Sequence, residues 1–413
     1  MKIRFNFITF ILTIFIILIA LFYNLDQIRS TLRDSLSAEF KVFIKDKFFG
    51  QKYIEELAFY RQSNYNQKIL PETQFEKINL IEHKINLFNE SPRFFIEKVD
   101  KKIIAINSKG KIAFLDENNF NVQTEIKNNL IRKKNIEVLD FKILNGQIYL
   151  AAKNIVKSKD CSHLSIFSSD LKKTDLFFKK IFESKECTKS NESAKIEISN
   201  FKNSTGLLIA TSATTAHGLA SDEKFLAQKD SSIFGKIIFL NLKDTTTTEV
   251  AKGIRFPKSL YDYNGLIFFT EGYNSNGDEI NILKTNENYG WPVASYGEED
   301  NLNAILQNQK EYIYKKNHSS FGYKEPLISF YPSIQINSLI KIPENFSNYW
   351  ENNFLLTSNS NLYRIRFDKS FNKVLLFEKI VLGKPTGDIL YLSKLKSFVV
   401  ASNGKILTLS KYE

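Results

Sequence analysis

Cysteine is almost absent from this chain. Cys161 and Cys187 are the only two, so no Cys-x-x-Cys redox or metal pair exists. The sequence also lacks a His-Glu-x-x-His element, a glycine-rich phosphate loop and a Gly-x-Ser-x-Gly elbow. Motif-level support for zinc proteolysis, phosphate-loop chemistry and serine hydrolysis is therefore missing. Like charges are not blocked either. The net charge is +12 over 413 residues, but the longest basic cluster is Arg132-Lys133-Lys134. Dispersed lysines make a solvated surface, and no nucleic-acid partner is expected. Hydrophobic content of 43% with 25% charged residues is ordinary for a globular protein. Aromatics reach 14% through 36 Phe and 18 Tyr; with the heavy Lys, Asn and Ile usage this reads as composition bias.

One long apolar run is present. Phe5 to Tyr23 carries no charge, and its polar residues are Asn6, Thr9 and Thr13. Nineteen helical residues rise about 28 Å, enough to cross the hydrocarbon core of a bilayer. A cleavable signal peptide would end in small residues, whereas this run ends Leu21-Phe22-Tyr23-Asn24. The expectation is an uncleaved transmembrane anchor over residues 1–24, single-pass in the inner membrane. Basic residues flank both ends, so the positive-inside rule sets no orientation. Cys161 and Cys187 lie in loop-rich surroundings. They form either a disulfide worth roughly 3 kcal/mol in the chain-entropy model, or two free thiols.

Residues 25–90 read as a helical or irregular stalk, with Leu25, Ile28, Leu32, Leu36 and Phe40 at three- and four-residue steps. From residue 91 the pattern changes to short apolar or alternating runs separated by turn residues, the mark of antiparallel strands. Asn145-Gly146, Asn264-Gly265 and Asn403-Gly404 each sit between two such runs, the strongest short-range hairpin signal. Ile103–Ile106 and Ile112–Leu115 flank a fourth turn. About 320 residues in four-stranded units give roughly six units, within the range of propellers.

Gly277-Asp278-Glu279-Ile280-Asn281, then Asn288-Tyr289-Gly290-Trp291-Pro292 and Ser295-Tyr296-Gly297, use one of only two tryptophans and one of eight prolines. This stretch resembles the glucose/sorbosone dehydrogenase family, six-bladed β-propellers that use pyrroloquinoline quinone. Ala227-Gln228, Gly235-Lys236-Ile237, Gly253-Ile254-Arg255-Phe256-Pro257-Lys258, Thr270-Glu271 and Tyr331-Pro332-Ser333-Ile334 are similar to further family elements. The resemblance runs from about Lys195 to Glu413, most closely over residues 227–300. It implies an all-β, six-bladed propeller over residues 91–413, outside the cytoplasm (periplasmic) in keeping with the family's export.

The resemblance also implies sites. A Ca²⁺ would take Asp278, Ala294, Tyr296 and Glu298, oxygen donors that suit a hard cation. The quinone carries three carboxylates and needs cations, for which Arg255, Lys258 and Lys384 stand nearest the family positions. An intact cofactor site requires these three to converge on one mouth of the central channel. A Phe at 256 and Lys384-Pro385-Thr386-Gly387 depart from the family's Asn and Arg-x-Arg. The family's catalytic base is a histidine; its position here is Asn191, with Glu192 beside it. Of the four histidines, His217 is in a loop that could approach the mouth but reads as an ordinary surface histidine, while His83 precedes the propeller, His163 lies beside Cys161 and His318 sits in a polar run. The expected function is a membrane-anchored propeller with lost or altered catalysis that binds a ligand, such as a sugar-like molecule, or serves in assembly. The alternative is an active quinoprotein dehydrogenase oxidising a sugar or related alcohol. A metal hydrolase using Glu271, Asp278 and Glu279 has no constellation that demands it.

Overall fold

The computed structural model describes residues 78–85, 93–131, 133–172, 175–214, 225–272, 277–296, 318–319, 322–330 and 332–411. The expected anchor, the stalk up to residue 77, His217 and Glu298 lie outside them. Among the described residues no helix is long and apolar enough to cross a membrane.

Three asparagine–glycine turns close two-residue hairpins at the expected places. Leu144 pairs with Gln147, Tyr263 with Leu266 and Ser402 with Lys405. Both turn residues have positive φ, as at Asn264 (53°) and Gly265 (83°). That combination matches the right-handed twist of the flanking strands. No heavy atom lies within 4 Å of a Cβ built on Gly265, so backbone conformation alone selects glycine there.

Such hairpins build six sheets, antiparallel except where Glu287–Asn288 adds to Thr247–Lys252 in parallel. The innermost strands are Phe94–Val99 in blade 1, Ile136–Leu144 in blade 2, Ala194–Phe201 in blade 3, Pro257–Tyr263 in blade 4, Ile336–Lys341 in blade 5 and Ile389–Leu392 in blade 6. Each packs beside the next, and that of blade 6 beside blade 1, so the sheets form a ring. Six apolar clusters fill the six junctions between neighbouring blades. Each sheet is therefore buried on both faces, as a propeller requires.

The ring takes in Ile78–Lys84, within the span read as stalk. This strand pairs with Lys405–Lys411 in register from Ile78↔Lys411 to Lys84↔Lys405 and forms the outermost strand of blade 6. Both ends of the domain thus share one sheet. Its alternation is poor because an outermost strand has little to bury on either face.

Cys161 and Cys187 form a disulfide with Cα atoms 5.6 Å apart and a sequence separation of 26. It ties the start of a blade 2 strand to the segment leading into blade 3. Replacing both cysteines with serine is expected to lower unfolding free energy by about 3 kcal/mol, the chain-entropy value for a loop of this order. Denaturant titration of the two forms measures it.

Candidate ligand site at the channel mouth

Two cavities lie along the ring axis. One, about 330 Å³, opens where the innermost strands begin; the other, about 460 Å³, opens towards their ends. Lys195, Ser338 and Asp388 line both and form the waist between them.

The smaller cavity is cationic. Arg93, Lys195 and Lys258 come from the starts of blades 1, 3 and 4 and all line it. The Arg93 guanidinium and Lys195 Nζ stand over the Phe95 ring at 5.3 and 4.9 Å, and Lys258 Nζ over Phe256 at 4.5 Å. Aromatic faces steady these charges without neutralising them. Lys195 Nζ lies 3.5 Å from Asp140, whose other oxygen accepts the Ile196 N–H at 2.9 Å. Lys258 has no hydrogen bond or ion pair with a described residue. Desolvation, reinforced by the charges of Arg93 and Lys195 and opposed by Asp278, pulls its amine down to about 8. At the waist, Asp388 accepts the Ile96 and Ile389 N–H groups at 3.0 and 3.1 Å. Desolvation nonetheless raises its pKa.

Of the three cations expected at the mouth, only Lys258 is there. Arg255 is buried, its guanidinium 4.4 Å from the Trp291 ring. Its N–H donates to Glu271 at 2.8 Å and its carbonyl accepts from Ala213 at 2.9 Å. Lys384 instead pairs with Glu82 on the ring-closing strand, which also holds Lys405. The expected trio does not converge. Arg93 and Lys195 stand beside it instead, and the signal for them in the sequence is position, just before or within the first residues of an innermost strand.

The segment around Trp291 is a lock between blades 3 and 4. Asn288 and Gln228 exchange amide hydrogen bonds of 2.7 and 3.1 Å, and Gln228 also donates to the Trp291 carbonyl at 2.6 Å. Trp291 Nε1 donates to the Ala213 carbonyl at 2.7 Å. Gly253 has φ of 81°, and a Cβ there would lie 2.3 Å from Asn288 Oδ1, so the lock excludes any other residue. Tyr289 Oη donates to the Ile282 carbonyl at 2.6 Å. Lys236 Nζ donates to the carbonyls of Leu226 and Ala227 at 2.9 Å each.

Comparison with known proteins bears on this architecture. The profile of the glucose/sorbosone dehydrogenase family matches residues 99–386. The chain belongs to that family. Comparison with curated proteins found no sequence match. Among solved structures, the apo form of the soluble aldose sugar dehydrogenase of Escherichia coli superposes with a TM-score of 0.62 at 13% identity, covering 81% of this chain and 100% of that one. The PQQ-bound aldose sugar dehydrogenase of Streptomyces coelicolor gives 0.57 at 13%, covering 81% and 99%. The calcium structure of a Trichoderma reesei carbohydrate-active enzyme of family AA12 gives 0.59 at 11%, covering 84% and 99%. At these identities the likeness is one of fold.

The family's chemistry can be tested against the residues present. Asn191, to which the resemblance assigns the position of the family's base, is fully buried, and neither amide atom has a hydrogen-bond partner among the described residues. An amide cannot take up a proton from an alcohol at neutral pH. His83 meets Thr408 Oγ1 at 3.2 Å and His163 meets the Ser184 carbonyl at 2.9 Å, so both serve the blades. With an amide where the resemblance expects the base, Arg255 sequestered and Lys384 engaged elsewhere, the residues at these expected positions do not fit the quinone.

The expected calcium ligands are divided by the strand Asp278–Ile282. Neighbouring residues of a strand face opposite ways. Asp278 accepts Ser333 Oγ at 2.8 Å and the Ile336 N–H at 3.3 Å on the side of blade 5. Glu279 faces the other way, 4.0 Å from His318 Nε2. The buried His318 ring stacks on Tyr296 at 4.9 Å, and its Nδ1 lies 3.9 Å from Glu325. Tyr296 Oη donates to Glu325 at 2.6 Å. Ala294 caps its turn through an N–H to Gly290 at 2.8 Å. Among the described residues no three His, Cys, Asp or Glu side chains converge as metal ligands; the imidazole stands between the two glutamates.

Burial, with the Glu279 charge adding to it, pushes the Glu271 carboxyl up to about 8. Burial likewise raises Asp278 to about 6. An acid raised in the folded state binds more protons there than in the unfolded chain, so stability falls as pH rises from the ordinary carboxylate range towards 8. Glu271→Gln is expected to flatten this slope and raise Tm at pH 8 with little change at pH 4.5. Calorimetric scans across that range check it; an unchanged slope would mean that Glu271 ionises normally.

Proposed function

We propose that this chain is a membrane-anchored, extracytoplasmic propeller that binds a small carboxylate-bearing molecule at its cationic mouth and has lost sugar oxidation. The observation that supports the loss is the buried amide of Asn191, at the position that the resemblance gives to the family's base. The ligand reading is supported by Arg93 and Lys258, which line the cavity and have no ion pair among the described residues, an arrangement suited to carboxylate capture. The anchor rests on the apolar run from Phe5 to Tyr23. An exported domain agrees with the disulfide, since such bonds persist in oxidising compartments.

Two measurements on the detergent-solubilised full chain test this reading. Pyrroloquinoline quinone with Ca²⁺ is expected to give no dye reduction across a panel of aldoses; turnover with any of them would restore the dehydrogenase. Malonate, an unreactive dicarboxylate, is expected to bind in titration calorimetry and to weaken with added salt, as charge recognition near a surface does.

A further inference from the structure

We propose that Lys258 forms an imine with a small 2-oxo acid whose carboxylate is held by Arg93 in the mouth cavity; this rests on the reading of the mouth as an anion site.

Three features carry the inference. Lys258 Nζ lines a cavity of about 330 Å³ together with Arg93 and Lys195, room for a molecule of a few heavy atoms. The amine is held over the Phe256 ring at 4.5 Å and is not tied up by a carboxylate or carbonyl among the described residues. It is thus free to approach a carbonyl carbon, unlike Lys195 beside Asp140 or Lys236 between two backbone carbonyls. The Arg93 guanidinium, resting on Phe95 at 5.3 Å, supplies a planar fork that a carboxylate can engage through two bonds. A 2-oxo acid carries its carbonyl directly beside its carboxylate, so one cation orients it for the other residue.

Reactivity follows from the same surroundings. Only an unprotonated amine is nucleophilic, and desolvation with the neighbouring cations brings Lys258 to about 8. At pH 7 about a tenth of it is then neutral, against well under a hundredth for an ordinary surface lysine. The nitrogen lone pair attacks the ketone carbon and a carbinolamine forms. Its oxygen then leaves as water, carrying the two hydrogens that the neutral amine held, and the carbon–nitrogen double bond remains. Nothing is oxidised or reduced, and hydrolysis reverses the step.

Incubating the full chain with pyruvate and cyanoborohydride, then mapping the reduced adduct by peptide mass spectrometry, tests the proposal beside malonate titration. The adduct is expected on Lys258 at roughly tenfold or more the rate at other lysines, from the larger neutral fraction. Malonate should slow it, and Lys258→Arg should remove it. Even labelling of all lysines by a protein that binds malonate would overturn the imine and leave the anion site standing. Absence of malonate binding together with even labelling would overturn both. The wild-type comparison decides the matter even if the arginine variant misfolds.

Discussion

Deleting residues 1–84 is expected to abolish the single cooperative melting transition of the propeller, whereas deleting residues 1–60 leaves it in place. The difference lies in Ile78–Lys84, which pairs along its whole length with Lys405–Lys411. Removing it strips seven residue pairings from blade 6 and bares the edge beside Ile406, Leu407 and Leu409, which are otherwise buried. At roughly 1 kcal/mol net for each ladder hydrogen bond, the direct loss is on the order of 5 kcal/mol, comparable to a domain's whole stability. The indirect loss is larger in kind. Blade 6 joins blade 5 to blade 1 through two apolar clusters, one centred on Trp350 and Phe398 and one on Ile96 and Val399. A frayed blade 6 weakens both, and an exposed strand edge invites aggregation. Scanning calorimetry and limited proteolysis distinguish the two deletions. Equal melting temperatures would mean that the ring closes without this strand.

The second large effect is expected at Trp291. Truncation to alanine should cost about 3–5 kcal/mol, the range for deleting a buried aromatic side chain. Three losses coincide there. The ring leaves the apolar cluster between blades 2 and 3, where it packs with Phe225, Ala227 and Phe234. The indole N–H bond to the Ala213 carbonyl disappears, and so does the aromatic face under the buried Arg255 guanidinium. A buried cation that loses its support costs more than the contact itself. Urea titration measures the change. Trp291→Phe separates the causes, since it keeps most of the packing and a ring face but not the indole bond, and it should recover more than half of the loss. An equal cost for both variants would put the whole effect on the hydrogen bond.

Much of the architecture was legible without a structure. The asparagine–glycine turns work through backbone conformation, which is a property of two adjacent residues, so they identified their hairpins directly. The inner and middle strands were readable as short apolar runs because those strands are covered on both sides of each blade. Outer strands gave less: Val122–Ile126 is exposed at its first four positions, and Ile78–Lys84 has no clean period, so neither carries a burial signal. Division of Asp278 from Glu279 was available from strand periodicity, yet their partners were not. Ser333 and Ile336 on one side, and His318 with Glu325 on the other, are separated from them by many residues of chain.

The sequence by itself determined the inner strands, the hairpin turns and the family, because each depends on local conformation or on a motif kept in order along the chain. Only the tertiary structure decided which charges meet. Arg93, Lys195 and Lys258 lie on three different blades and become neighbours because ring closure brings the starts of the innermost strands to one axis. Arg255, three residues from Lys258, is turned instead into the junction beneath Trp291, and Lys384 is drawn outward to Glu82. Electrostatics at a site depends on distance through space, which the order of residues does not contain until the ring is closed.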